Sequence, residues 1–145
     1  MLIRFVKIHK DAVKPTKGHR TDACYDLYSV EEDFYLKPRE RTLIKIGLII
    51  EIPEGFEGQI RPRSGNANTK GLMVVNSPGT IDSGYRGEIR VILYNSDDMG
   101  HRISKGSKIA QLAIKKVYDF KFIEVEIDDL DKSDRGEGGF GSTGS

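Results

Sequence analysis

Leu43-Ile44-Lys45-Ile46-Gly47-Leu48-Ile49-Ile50-Glu51-Ile52 alternates with a period of two: Ile44, Ile46, Leu48, Ile50 and Ile52 share one face, and Leu43, Lys45, Gly47, Ile49 and Glu51 share the other. Successive side chains of a strand point to opposite faces, so the run predicts one long strand with a single face turned to a core. Shorter runs rich in Ile, Val, Tyr and Phe occur at Ile3–Ile8, Phe34–Leu36, Gly58–Arg63, Glu88–Tyr94, Lys108–Val117 and Phe120–Ile127. Turn signals separate them, among them Lys37-Pro38, Pro53-Glu54-Gly55, Ser77-Pro78-Gly79, Asn95-Ser96-Asp97-Asp98 and Ser104-Lys105-Gly106. One short helix fits around Asn66–Lys70, and no amphipathic helix of three turns or internal repeat stands out. Many short strands with frequent turns predict an all-β fold: a sandwich, jelly roll or distorted β-barrel.

The 145 residues make one domain, long enough to bury a core without disulfides or metals. Lys and Arg number 23 against 22 Asp and Glu, a net charge of +1, too even for a protein that holds nucleic acid by its phosphates. Charged residues at 31% and hydrophobic ones at 37% exclude a disordered chain, a coiled coil and collagen. Cys24 is the single cysteine and there are three histidines, so no intrachain disulfide and no Cys/His zinc cluster is expected, and a reducing compartment fits. Arg4 and Lys7 interrupt the apolar run Leu2–Ile8, and no stretch nears the roughly 20 apolar residues that span a bilayer. The expectation is a cytoplasmic protein without a secretory leader or membrane contact.

Four segments set functional groups beside Gly or Pro, where strands give way to loops. In Thr21-Asp22-Ala23-Cys24-Tyr25-Asp26-Leu27, Asp26 sits among small and apolar residues; an Asx-type turn before a strand explains it equally well. Arg61-Pro62-Arg63-Ser64-Gly65 offers two guanidiniums, a hydroxyl and a glycine N–H to an oxyanion, and reads just as well as an exposed basic strand end. From Gly71 to Glu88 an apolar strand turns at Ser77-Pro78-Gly79, returns through Ile81, and delivers Asp82, Tyr85 and Arg86 together. Asp82 beside Tyr85 suits a base that orients water against a nucleoside, whereas an ordinary hairpin needs only an Asp turn. In Gly106-Ser107-Lys108-Ile109-Ala110-Gln111-Leu112, Gln111 shares a strand face with Ile109; its amide must find backbone, water or a ligand, since leaving it unpaired costs roughly 1–3 kcal/mol.

A fifth segment departs from the strand pattern. Residues 133–145 read Ser-Asp-Arg-Gly-Glu-Gly-Gly-Phe-Gly-Ser-Thr-Gly-Ser and hold five of the 16 glycines. Composition alone suits a disordered tail or linker.

Taken in order and spacing, the five segments resemble the trimeric deoxyuridine triphosphatase (dUTPase) family over nearly the whole chain. The most specific are Gly79-Thr80-Ile81-Asp82 leading to Tyr85-Arg86-Gly87, and Arg135-Gly136-Glu137-Gly138-Gly139-Phe140-Gly141-Ser142. The resemblance implies a jelly-roll-like domain over residues 1–132 and a flexible Gly-rich arm over 133–145. It implies a homotrimer whose sites draw segments from more than one subunit, and hydrolysis of dUTP to dUMP and pyrophosphate. Asp26 would help hold, through water, a Mg²⁺ carried mainly by the triphosphate, while Arg63, Ser64 and Gly65 bind phosphate oxygens. The Val75–Tyr85 hairpin would receive uracil through Asn76 and backbone groups, Gly79 and Ile81 among them, and Tyr85 would lie against the deoxyribose. Asp82 and Gln111 would activate and aim the attacking water. Phe140 would stack on uracil, with Arg135, Gly141, Ser142 and Thr143 closing the arm over the nucleotide. Two residues depart from the family's pattern: Cys24 stands where Gly is usual, which crowds the backbone near Asp26, and Gly84 stands where an acidic or amide residue is common, which loosens the turn aiming Tyr85.

A dCTP deaminase shares the fold, but that enzyme carries a second Ser followed by an Arg after its phosphate segment, and Asn68 stands in about that Arg's place. A non-catalytic β-sandwich binding or regulatory module would leave the joint presence of Asp82, Gln111 and the arm without a reason.

Overall fold

A computed structural model of the chain describes residues 1–139. Its strands in chain order are β1 (Arg4–Lys7), β2 (Cys24–Tyr28), β3 (Phe34–Leu36), β4 (Arg41–Lys45), β5 (Leu48–Glu51), β6 (Phe56–Arg61), β7 (Leu72–Val74), β8 (Gly79–Ile81), β9 (Arg90–Asn95), β10 (His101–Ile103) and β11 (Lys108–Lys116). Helix α1 (Ser64–Lys70) lies between β6 and β7, and a 3-10 turn spans Ile127–Asp129. One antiparallel sheet has the order β2-β11-β6-β8 and another β4-β9-β7, with the pairs β1-β5 and β10-β3 beside them. Leu27, Ile60 and Leu112 of the first sheet meet Ile44, Val74, Val91 and Leu93 of the second in one buried cluster. Burying each such side chain stabilises the fold by roughly 1.5–3 kcal/mol, so the inner faces of the two sheets hold the layers together. The class is all-β as expected, with a jelly-roll-like arrangement of layers in which no barrel closes.

The alternation at 43–52 is real, but it is carried by two strands rather than one. Ile44, Ile46, Leu48, Ile50 and Ile52 are all at most 2% exposed, while Leu43 is half exposed. The run breaks at Gly47, whose φ of +66° lies in the left-handed region. There the chain leaves β9, the partner of β4, and continues against β1, the partner of β5. The side chain of Glu88 accepts the Gly47 N–H at 3.2 Å, and the Gly47 carbonyl accepts the Ile8 N–H at 2.9 Å. A Cβ here would stand 2.7 Å from His9 Cβ and 3.0 Å from Ala12 Cβ. Gly47→Ala therefore combines backbone strain with a clash and should cost about 2–4 kcal/mol, read as a lower urea midpoint at unchanged slope. An unchanged midpoint would show that the bend has slack.

Phe120–Ile127 is not a strand. Among the described residues it has no ladder partner, and Phe120, Phe122, Ile123 and Ile127 are each at least 74% exposed. The sequence pattern is that of a strand, but among the described residues the segment lies on none of the open sheet edges. The strand β10 lies outside the predicted runs because two of its three residues, His101 and Arg102, lack the Ile, Val, Tyr and Phe content that marks the others.

Candidate active site

Asp26 is the hub of the first cluster. It lies on β2 opposite Gln111 of β11, and Gln111 in turn lies opposite Arg61 of β6. Just past β6, Arg63 Nε donates to Asp26 Oδ1 at 3.0 Å. Lys108 Nζ stands 2.8 Å from Asp26 Oδ2. Asp26 is only 14% exposed, and a carboxylate so placed needs such partners to offset its lost hydration. The same contact raises the Lys108 ammonium above the ordinary lysine range, first through the hydrogen bond to Asp26 and then through that residue's negative charge.

The Gln111 amide donates to the Pro62 carbonyl at 2.8 Å, the ordinary outcome for a half-buried amide. Gln111 still lines a hollow of about 260 Å³ with Gly18, Asp22, Ala23, Cys24 and Asp26. Cys24 pairs in register with Ala113, so it sits in a regular ladder rather than distorting the strand of Asp26. Ser64 and Gly65 open α1 with no side-chain cap and no acidic residue in the first turn. Their N–H groups suit an anion on the Arg63 side of the cluster.

Lys108 is a member of this cluster that motif reading missed. Ile109 does not share the Gln111 face: it and Ala110 are both in the core, because β11 shifts register against β2 between Lys108 and Ala110. Such a bulge rests on which residue opposes which across the ladder, so a run of residue types carries no sign of it.

The second cluster is built on the connection from β7 to β8, which is not the hairpin the sequence predicts: β7 pairs with β9 in one sheet and β8 with β6 in the other, so the chain crosses between layers at this turn. The Ser77–Pro78 peptide in its turn is cis. Gly79 is buried, and a Cβ on it would come within 3.0 Å of Asn76 Nδ2, so the Asn76 amide folds across a position that only glycine leaves open. Ile81 packs its side chain on the core and pairs with Gly58 of β6. Beyond it, Asp82 is exposed and its carbonyl accepts the Tyr85 N–H at 3.1 Å. The Tyr85 hydroxyl donates to the Glu88 carbonyl at 3.1 Å, with the ring over Gly87. Arg86 Nη1 donates to the Ser83 carbonyl at 2.7 Å and the Tyr85 carbonyl at 2.9 Å. Its Nη2 lies 3.5 Å from Glu51, whose carboxyl Arg4 holds below the usual carboxylate range. The turn around Gly84 is thus braced by these bonds.

The two clusters do not meet within one chain. β8 pairs with β6 so that Ile81 is opposite Gly58, while Gln111 is opposite Arg61 at the other end of β6. Asp82 is therefore four residues along and two strands across from Gln111, roughly 15 Å at ordinary strand spacings. Arg135 joins neither cluster. Its Nε donates to the Gly138 carbonyl at 2.7 Å within an exposed turn closed by Gly136 N–H to the Ser133 carbonyl. Phe140, Gly141, Ser142 and Thr143 lie outside the described residues.

Among the described residues no three His, Cys, Asp or Glu side chains converge as a metal cage. A hydrated Mg²⁺ that keeps its waters and leans on substrate phosphates needs only one or two carboxylates, and Asp26 in its hollow fits that demand. No helix is long and apolar enough to cross a membrane among these residues.

A family model described as dUTPase matches residues 10–144. The chain is 50% identical over 139 residues to the deoxyuridine 5'-triphosphate nucleotidohydrolase of Clostridium kluyveri, covering 96% of this chain and 95% of that one. It is 46% identical over 142 residues to the enzyme of the same name from Clostridioides difficile, covering 98% and 97%. Among solved structures, a mutant dUTPase of Staphylococcus bacteriophage 80alpha with dUpNHpp superimposes with a TM-score of 0.90 at 30% identity, covering 99% of each chain. A mutant dUTPase from phage phi11 of S. aureus, described with a structural Mg(II) ion, gives 0.81 at 26% identity, covering 90% of this chain and all of that one.

Proposed function

The chain belongs to the dUTPase family, and from that premise we propose that it hydrolyses dUTP to dUMP and pyrophosphate, limiting uracil in DNA and supplying dUMP for dTMP synthesis. The family match over residues 10–144 carries the reading, because it spans the β7–β8 connection, the phosphate segment and the arm together. Residues 1–132 form the catalytic body and 133–145 the arm that closes over it. The cytoplasm is its place of action, with no nucleic acid or membrane as partner.

The site works by neutralising charge and then aligning a nucleophile. Arg63 and the N–H groups of Ser64 and Gly65 take phosphate oxygens. When bound, Mg²⁺ neutralises the triphosphate and the leaving pyrophosphate. Asp26 would hold it through water. Asn76 and the backbone of Gly79 and Ile81 receive uracil, and Tyr85 lies against the sugar. Asp82 accepts a proton from water that Gln111 directs. The water oxygen bonds to the α-phosphorus as the bond to the bridging oxygen breaks, and pyrophosphate departs opposite the attack. Phe140 stacks on the base while Arg135, Gly141, Ser142 and Thr143 close over the phosphates. A base in position supplies roughly 10²–10⁴-fold, so orientation and preorganised charge must contribute the rest.

The working assembly is a homotrimer. The separation of Asp82 from Gln111 within one chain supports this, because a shared water requires one residue from each of two copies. The exposed apolar segment Phe120–Leu130 supports it as well, since so many bare side chains call for a covering surface.

Purified protein with Mg²⁺ should release pyrophosphate from dUTP and from no other deoxynucleoside triphosphate. UTP should be turned over at least about 10²-fold less efficiently, because the braced Tyr85 leaves no room for a 2′-hydroxyl. Ammonia from dCTP would indicate the deaminase instead, and comparable kcat/KM for UTP and dUTP would remove the role given to Tyr85.

A further inference from the structure

Gly47 is buried at the bend between β4 and β5 and belongs to neither strand. A buried peptide N–H without an acceptor is costly, so one has to come from elsewhere in the fold. Glu88 supplies it from 41 residues along the chain, with Oε1 at 3.2 Å. The other oxygen of the same carboxylate accepts Arg90 Nε at 3.2 Å, and the Glu88 side chain is only 13% exposed. The next residue, Ile89, is buried and donates its N–H to the Leu48 carbonyl at 2.8 Å. Side chain and main chain together therefore pin residues 88 and 89 to the bend.

The same residue carries the far end of Tyr85. The Tyr85 hydroxyl donates to the Glu88 carbonyl at 3.1 Å, and the ring crosses Gly87, where a Cβ would stand 2.4 Å from the hydroxyl oxygen. The near end is set by the Tyr85 N–H on the Asp82 carbonyl at 3.1 Å. Tyr85 is exposed, so core packing does not hold its ring. A flat side chain fixed at two ends takes its tilt from where those ends stand. One end of this ring lies in the turn, and the other lies on a peptide anchored beside the core.

We propose that Glu88 is a positioning residue for sugar selection, a role that rests on the reading of Tyr85 as the wall against the deoxyribose. By accepting the Gly47 N–H, its carboxylate holds its own carbonyl in place, and that carbonyl holds the ring where a hydrogen fits at the 2′ carbon and a hydroxyl does not. Selection by exclusion depends on rigidity, because a wall that yields by a fraction of an ångström admits the extra oxygen.

The test is the ratio of kcat/KM for dUTP to that for UTP, measured on the full chain in Mg²⁺ with the melting temperature alongside. Glu88→Ala leaves the Gly47 N–H without its acceptor and should lower the ratio about 10-fold, chiefly through a smaller loss for UTP than for dUTP or an outright gain. Glu88→Gln keeps an acceptor oxygen and should retain most of the ratio. Glu88→Asp keeps the charge but draws the acceptor back by one methylene; it should lower the ratio in the same direction and decides the matter where Glu88→Ala does not fold. Tyr85→Phe removes the hydroxyl bond itself, so adding Glu88→Ala to it should lower the ratio no further. If dUTP and UTP values fall together in Glu88→Ala or Glu88→Asp with the ratio unchanged, or if the double variant is fully additive, the proposal is overturned and Glu88 is a structural partner of the bend alone. Equal use of UTP and dUTP by the unaltered protein would instead remove the reading of Tyr85, and this proposal with it.

Discussion

A chain ending at Lys132 should fold, assemble and melt at the temperature of the full chain, yet lose dUTP hydrolysis by at least about 10²-fold. The stability half follows from where residues 133–139 spend their bonds. Among the described residues, Ser133, Arg135, Gly136 and Gly138 bond to one another in an exposed turn. Phe140 is the only large apolar residue of the thirteen, so the segment adds little to any core. The catalytic half follows from what the arm brings once closed. Stacking of Phe140 on a base is worth roughly 1–3 kcal/mol. The Arg135 guanidinium adds charge, and closure excludes water from the phosphates. Phe140→Ala should lose an intermediate amount, in kcat/KM rather than in melting temperature. Calorimetry and steady-state kinetics on the same preparations decide it, and full turnover by the truncated chain would leave the arm without a function.

Asp82→Asn should keep the fold and the affinity for dUpNHpp while turnover falls by at least about 10²-fold, since the amide keeps the shape but cannot accept a proton. Its exposed position in a turn braced by Tyr85 and Arg86 makes a folding defect an unsuitable explanation for the loss. The roughly 15 Å between Asp82 and Gln111 along the paired strands adds a second expectation. Asp82→Asn and Gln111→Ala, each inactive alone, should recover activity when unfolded and refolded together. Random mixing gives about a quarter of the sites an intact Asp82 from one copy and an intact Gln111 from its neighbour. If a single chain supplied both residues, the mixture would stay inactive however long it assembled. Near-normal turnover of Asp82→Asn by itself would remove the base assignment.

Much of this was open to reading in the residues alone. The alternation from Leu43 to Ile52 specifies an inward face because every second side chain of a strand points the same way, and Ile44, Ile46, Leu48, Ile50 and Ile52 are all buried, the pattern failing only at buried Gly47. The segments around Asp26, Arg63, Asp82, Gln111 and Arg135 carry their family resemblance in residue type and spacing, which survive without coordinates, and the family match bears that resemblance out. Tyr85-Arg86-Gly87 is legible for a similar reason: the glycine is required where the tyrosine ring lies across it, a relation two residues long.

What the residues alone could not decide depends on partners far along the chain. Gly47 reads as one more member of an alternating run until Glu88 and β1 are brought to it, and only then does the strand break there. Phe120–Ile127 has the composition of a strand, yet pairing needs a neighbouring edge, and within the described chain the segment is laid against none. Lys108 enters the site through one unpaired residue in the ladder of β11 with β2, and Asp82 leaves the neighbourhood of Gln111 through the register of β8 on β6. Periodicity and spacing are properties of neighbours in sequence, so they determined the fold class and the kind of chemistry. Register is a property of neighbours in space, and a slip of one residue turns a side chain to the other face, so only the tertiary structure decided which of these groups stand together.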